Sequence, residues 1–76
     1  MPKLRPVNWK TLARVFELDG FRHDRTRGSH YYMKKDGVLR TLCIPMYKEV
    51  EVFIIKSNMR SAGMTRKRYF ELLSQV

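Results

Sequence analysis

The fold class that the sequence predicts is α+β: a three-stranded antiparallel sheet with helices packed on one face, in the order α-β-β-β-α with a short extra helix at the C-terminal end. Two observations lead there. Apolar residues follow helical spacing before Gly20 and after Pro45 but alternate in between. Within the alternating stretch, Arg27-Gly28 and Asp36-Gly37 mark two tight turns, which cut it into three strand-sized pieces. A chain of 76 residues has room for one core. No repeat, low-complexity stretch or linker divides it, so residues 1–76 are expected to form a single domain.

Taken in order, Pro2 and Pro6 oppose helix in the lead segment, and Asn8 is a good N-cap for the first helix. Trp9, Leu12, Ala13 and Phe16 fall at helical spacing, Trp9 and Phe16 as core residues, and Gly20 closes the helix. Phe21 to Arg27 reads as a polar strand of open register. Ser29 to Lys35 is a second strand and Val38 to Ile44 a third, which Pro45 ends. A second helix runs from about Glu51 to Ala62 on a stripe of Val52, Ile55, Met59 and Ala62, with Gly63 as its stop. Thr65 caps a third, short helix anchored by Tyr69, Phe70, Leu72 and Leu73.

The faces of the sheet depend on the second turn. A two-residue loop at Asp36-Gly37 pairs Lys35 with Val38, Met33 with Arg40 and Tyr31 with Leu42. That face also takes Ile44 and is expected to meet the helices. His30 and Tyr32 share the opposite face with Thr41 and Cys43, so His30 is expected to point away from the core, near Arg25 and Arg27.

Charge narrows the function. Sixteen Lys and Arg against seven Asp and Glu give a formal net charge of +9. The basic residues are spread from Lys3 to Arg68, the pattern of a folded basic surface with a polyanionic or acidic partner. The longest apolar runs fall far short of the roughly 18 residues of a membrane span, and no membrane partner is expected. The lone Cys43 has no internal disulfide partner and fits a reducing cytoplasm. Neither paired carboxylates nor a zinc-type ligand spacing is present, so neither metal nor cofactor is expected. Cys43 lacks any neighbouring signal of thiol activation.

The stretch "GFRHDRTRGSHYYM", then "DG", "CIP" and "MRSAGMTRKRYFELL" closely resembles the HicA (YcfA-like) family of toxin endoribonucleases, over nearly the whole chain from about Val7 to Leu73. The element order likewise resembles the double-stranded-RNA-binding fold. The resemblance implies an enzyme that cuts mRNA and is inhibited by a HicB-type antitoxin protein covering its active face. It also implies that His30, in the Gly28-Ser29-His30 motif, is catalytic. Two departures stand out. Tyr47 occupies a position, two residues after the strand-ending proline, where many members carry histidine. Phe53-Ile54-Ile55 replaces a Gly-Thr-Leu-like opening of the second helix.

The chemistry can be weighed apart from the family. Metal-independent RNA cleavage needs a base for the 2′-hydroxyl, cations for the phosphorane and an acid for the leaving oxygen. Histidine suits the base role, since its unperturbed pKa of about 6.5 leaves it largely neutral near pH 7. Arg25 and Arg27 are forked donors for phosphate, Gly28 lets backbone approach it, and Ser29 adds a hydroxyl. Tyr32 is either a base-stacking aromatic or a cross-strand packing residue. His23 has a strand position but no motif. Two other readings use the same basic surface: a non-catalytic RNA-binding module, and a protein that only binds an acidic partner. Neither requires the Gly-Ser-His motif.

Overall fold

The structure is a computed structural model that describes residues 2–76. Asn8 caps the first helix, α1 (Trp9–Leu18), its side chain accepting from Lys10 N at 2.9 Å. Leu12, Val15 and Phe16 of this helix are fully buried. Truncating one of them to alanine would cost about 2–5 kcal/mol, against the roughly 5 kcal/mol that so small a domain typically has. The helix stops at Gly20, whose φ of 100° disfavours any residue with a side chain. Phe21 N–H then folds back onto Phe16 O at 2.9 Å, which satisfies a terminal carbonyl. The Asp19 carboxylate lies at the negative end of the helix dipole. Arg68 Nε compensates it at 3.2 Å, and Lys35 donates to Asp19 O at 2.7 Å.

Three strands come next in the chain, β1 (Arg22–Arg27), β2 (His30–Lys34) and β3 (Leu42–Pro45), in the spatial order β1-β2-β3, all antiparallel. The expected faces hold: Met33, Leu42 and Ile44 are fully buried and Tyr31 half-buried, while His30 is exposed on the other side. The expected register of the second hairpin does not hold. Met33 pairs with Leu42 rather than Arg40, and Tyr31 with Ile44 rather than Leu42. A turn does form at Asp36-Gly37, with Val38 N–H donating to Lys35 O at 3.1 Å. The ladder resumes only at Leu42, so β3 is shorter than the expected Val38–Ile44 strand. The reason is burial. A two-residue loop would set Arg40 opposite Met33 in the core, whereas a slip of two residues sets Leu42 there and keeps every side chain on its face.

The second and third helices are α2 (Val52–Ala62) and α3 (Arg66–Leu73), the latter capped by the Thr65 side chain, which accepts from Arg68 N–H. Ile55, Met59, Tyr69 and Leu72 join the core, while Trp9, Val52 and Phe70 are only half-buried. Buried Asn58 interrupts the apolar stripe of α2. Its amide accepts from Cys43 N–H at 3.2 Å and donates to Cys43 O at 3.0 Å, a pair of bonds that substitutes for a fourth strand along β3. The segment after β3 doubles back along the lead: Trp9 N–H donates to Tyr47 O, and Val50 N–H to Val7 O at 2.7 Å. Among the described residues no helix is long and apolar enough to cross a membrane.

Candidate functional site on the open face of the sheet

The open face is organised by a bulge in β1. His23 pairs with Met33 and Arg25 with Tyr32, so Asp24 is an extra residue between them. Strict alternation from His23 would put Arg25 and Arg27 on His23's side, against the helices. The bulge reverses this and places Arg25 opposite Tyr32 and Arg27 opposite His30 on the solvent-facing side. His23 and Thr26 remain on the other side, where the His23 ring stacks on Tyr31 with centroids 4.5 Å apart and Nε2 lies 2.8 Å from Thr26 Oγ1. The two histidines therefore occupy opposite faces and cannot act as one acid–base pair.

His30 is exposed and makes no hydrogen bond or ion pair among the described residues. It is the first residue of β2, directly after the turn, and its ring lies 6.5 Å from that of Tyr32. Gly28 has φ 57°, and a Cβ built on it would meet nothing within 4 Å. Its conformation favours glycine, and the space before it is open. Ser29 is exposed, and its carbonyl accepts from Met46 N–H at 2.8 Å, tying the turn to the end of β3. Tyr47, one residue further, is half exposed.

The two arginines differ. Arg25 is ion-paired with Asp24, and its guanidinium carbon lies 4.4 Å from the Tyr32 ring centroid, a cation–π contact. Tyr32 thus packs against a cross-strand arginine. Arg27 is exposed with no carboxylate partner among the described residues, so its five donors are free. Asp24, which the motifs of the sequence do not single out, is the one carboxylate among these cations. Its Oδ1 lies 3.1 Å from Lys34 Nζ. The hydrogen bond from Lys34, followed by that from Arg25, holds its carboxyl below the usual carboxylate range against an opposing effect of burial. The one signal that could have found it is a lone acid in an otherwise basic strand, "RHDRTR".

Half-buried Cys43 stands opposite Tyr32 with its backbone held by Asn58. Among the described residues no group of three or more His, Cys, Asp or Glu side chains is gathered closely enough to hold a metal ion. What the face offers chemically is one accessible imidazole, one unpaired guanidinium opposite it, a second guanidinium over an aromatic ring, and an open backbone turn. A comparison with curated proteins returned no match. The family model described as HicA toxin of bacterial toxin-antitoxin matches residues 9–64.

Proposed function

The chain belongs to the HicA toxin family and is the toxin of a toxin–antitoxin system; from that premise we propose that it is an endoribonuclease that cuts mRNA with His30 and is neutralised by a HicB-type antitoxin. The carrying observation is the pairing of exposed His30 with Arg27, whose charge is unopposed, across the mouth of an open turn. In this reading neutral His30 removes the proton from a ribose 2′-hydroxyl, and the 2′-oxygen attacks the adjacent phosphorus. The P–O5′ bond breaks, and the leaving 5′-oxygen takes a proton from solvent on this open face. The products are a 2′,3′-cyclic phosphate and a 5′-hydroxyl. Arg27 stabilises the charge on the phosphorane, where one well-aimed donor is worth about 10²–10³ in rate. Arg25 and Ser29 assist at the phosphate, Gly28 leaves it room, and Tyr32 presents a ring edge to a neighbouring base.

No metal or cofactor enters this mechanism. The test is cleavage of RNA by wild type and by His30→Ala, each with and without excess EDTA. The expected result is EDTA-resistant cleavage with cyclic-phosphate ends, reduced about 10²–10⁴-fold in the variant. Full activity of His30→Ala, or products bearing 5′-phosphates, sinks the mechanism.

One observation favours a second reading. Among the described residues no carboxylate or carbonyl orients the His30 ring, as an orienting group does in most activated bases, which suits a module that binds RNA without cutting it. The same assay separates the two, since a binding module would leave RNA intact.

The antitoxin, in this proposal, covers His30, Arg25 and Arg27 and blocks RNA by occlusion. An acidic inhibitor surface would be steered onto this face, with association reaching about 10⁸–10⁹ M⁻¹s⁻¹ at low salt. Arg27→Glu should slow antitoxin capture and weaken RNA binding together. Simultaneous tight binding of RNA and antitoxin to one toxin would refute occlusion.

A further inference from the structure

The longer β2–β3 loop has a consequence at the opposite end of the sheet from His30. His30 pairs with Pro45 at one end of the β2–β3 ladder, and Met33 with Leu42 at the other. The loop residues Leu39 and Arg40 enter at that far end, Leu39 with 99 % of its surface exposed. Leu39 and Arg40 line a cleft together with Ser57, Arg60 and Ser61 of α2. Arg60 also borders a second cleft, with Lys56 and Arg66. Among the described residues no Asp or Glu lines either cleft.

The cations that line these clefts, like Arg27, are not among the ion-paired ones. Arg14, Arg22, Arg25, Lys34, Lys35 and Arg68 are each within ion-pair distance of a carboxylate. Arg40, Lys56 and Arg60 have no such partner among the described residues. Arg66 spends one donor on Pro2 O at 3.2 Å and keeps the rest. Unpaired cations that line two clefts sharing Arg60, with hydroxyl donors and an exposed apolar side chain in one of them, suit a phosphate backbone with unstacked bases.

We infer that this end of the molecule, Arg40 with Lys56 and Arg60 of α2, is a second RNA-binding surface, which holds the sugar–phosphate backbone of a single-stranded RNA away from the bond at His30. The inference rests on the reading that the chain handles RNA. The surface supplies affinity and orientation, while the chemistry stays at the other end of the sheet.

The test uses the His30→Ala protein, so that RNA survives, and a labelled single-stranded RNA of roughly 16 nucleotides. Binding is followed by fluorescence anisotropy over a range of salt concentrations. Adding Arg40→Gln, Lys56→Gln and Arg60→Gln together should weaken binding roughly tenfold at low salt and flatten the log–log salt slope by about 2, at about 0.7 per phosphate contact. A control carrying Lys10→Gln, Lys48→Gln and Lys67→Gln removes the same charge from other places and should lose much less. Equal losses in both triple variants would reduce the effect to net charge and overturn the inference, as would unchanged RNA binding in the first. If the first triple variant loses capture of the antitoxin while keeping RNA, the surface belongs to the protein partner and the inference is wrong. Failure of the His30→Ala parent to bind RNA at all would bring down both this inference and the reading it rests on. RNA binding lost in the triple variant, with no cleavage by wild type, would remove the catalytic reading alone.

Discussion

Arg27 is the cross-strand partner of His30, the last residue of β1 set against the first of β2 with only Gly28 and Ser29 between them. Arg25, two residues earlier on the same face, is held by Asp24 and by the Tyr32 ring. A guanidinium with free donors can follow a phosphate into its transition state, whereas one already engaged must first give up its partners.

Arg27→Ala is therefore expected to lower kcat/KM for RNA about 10²-fold, and Arg25→Ala clearly less. Both side chains are exposed, so thermal stability should barely move. Single-turnover cleavage by the two variants decides it. If Arg25→Ala is the more damaging, the free-donor argument fails.

Asp24 sets an acid dependence. Its carboxyl pKa is lowered in the folded protein, first by the hydrogen bond from Lys34 and then by Arg25. The folded state thus binds this proton less readily than the unfolded chain, whose value is about 3.9. The stability that Asp24 contributes is complete above that value and is lost as pH falls through the lowered folded pKa. Urea melts of wild type and Asp24→Asn should differ near pH 6 and converge toward pH 2. A gap that stays constant over this range would show that the ion pairs contribute nothing through ionisation.

Helical and alternating periodicities were enough to identify the layers and their order, because the burial of Phe16, Met33, Ile44 and Ile55 is what those periodicities record. The face of His30 was legible for the same reason: a register slip of two leaves faces unchanged. The slip itself was not legible. Asp36-Gly37 forms its turn as expected, and only the cost of burying Arg40 against Met33 moves the ladder. The side of β1 on which Arg25 and Arg27 lie was equally hidden, since it turns on the extra residue at Asp24, and a bulge leaves no mark in apolar spacing where every residue is polar. Asn58 did leave one, a polar residue between Ile55 and Met59 on a buried stripe, but its partner is backbone and carries no sequence signal.

Asn58 gives the next prediction. Its two bonds to the Cys43 backbone close the outer edge of β3, and an uncovered edge is a template for pairing with another chain. Asn58→Leu keeps a similar bulk in an apolar side chain but leaves a backbone donor and acceptor without partners. The expected cost is roughly 1–3 kcal/mol, together with concentration-dependent self-association. Denaturant melts and sedimentation of the variant measure both. A variant as stable and as dispersed as wild type would mean that the edge needs no cover.

Tyr69 makes the opposite case. It is almost wholly buried, and its phenol oxygen has no hydrogen-bond partner among the described residues. Burial raises its pKa above the ordinary 10.0, because the phenolate would be desolvated. Its ring packs edge-on against Phe70 at 5.3 Å, a contact that phenylalanine would preserve. An unpaired buried hydroxyl costs about 1–3 kcal/mol of desolvation, so Tyr69→Phe should leave stability unchanged or raise it. A gain of about 1 kcal/mol would lift Tm by roughly 4–8 °C in a domain of this size. The pH dependence has a definite sign. A folded pKa above the unfolded one means that stability is full below about pH 10 and is lost as the pH rises through the folded value. Tyr69→Phe should therefore flatten the alkaline limb of the stability profile as well as keep or raise the plateau. Thermal melts of both proteins between about pH 7 and pH 11 test the two effects together, bracketing the ordinary phenol pKa. A destabilised variant with an unchanged alkaline limb would show that the hydroxyl is bonded after all.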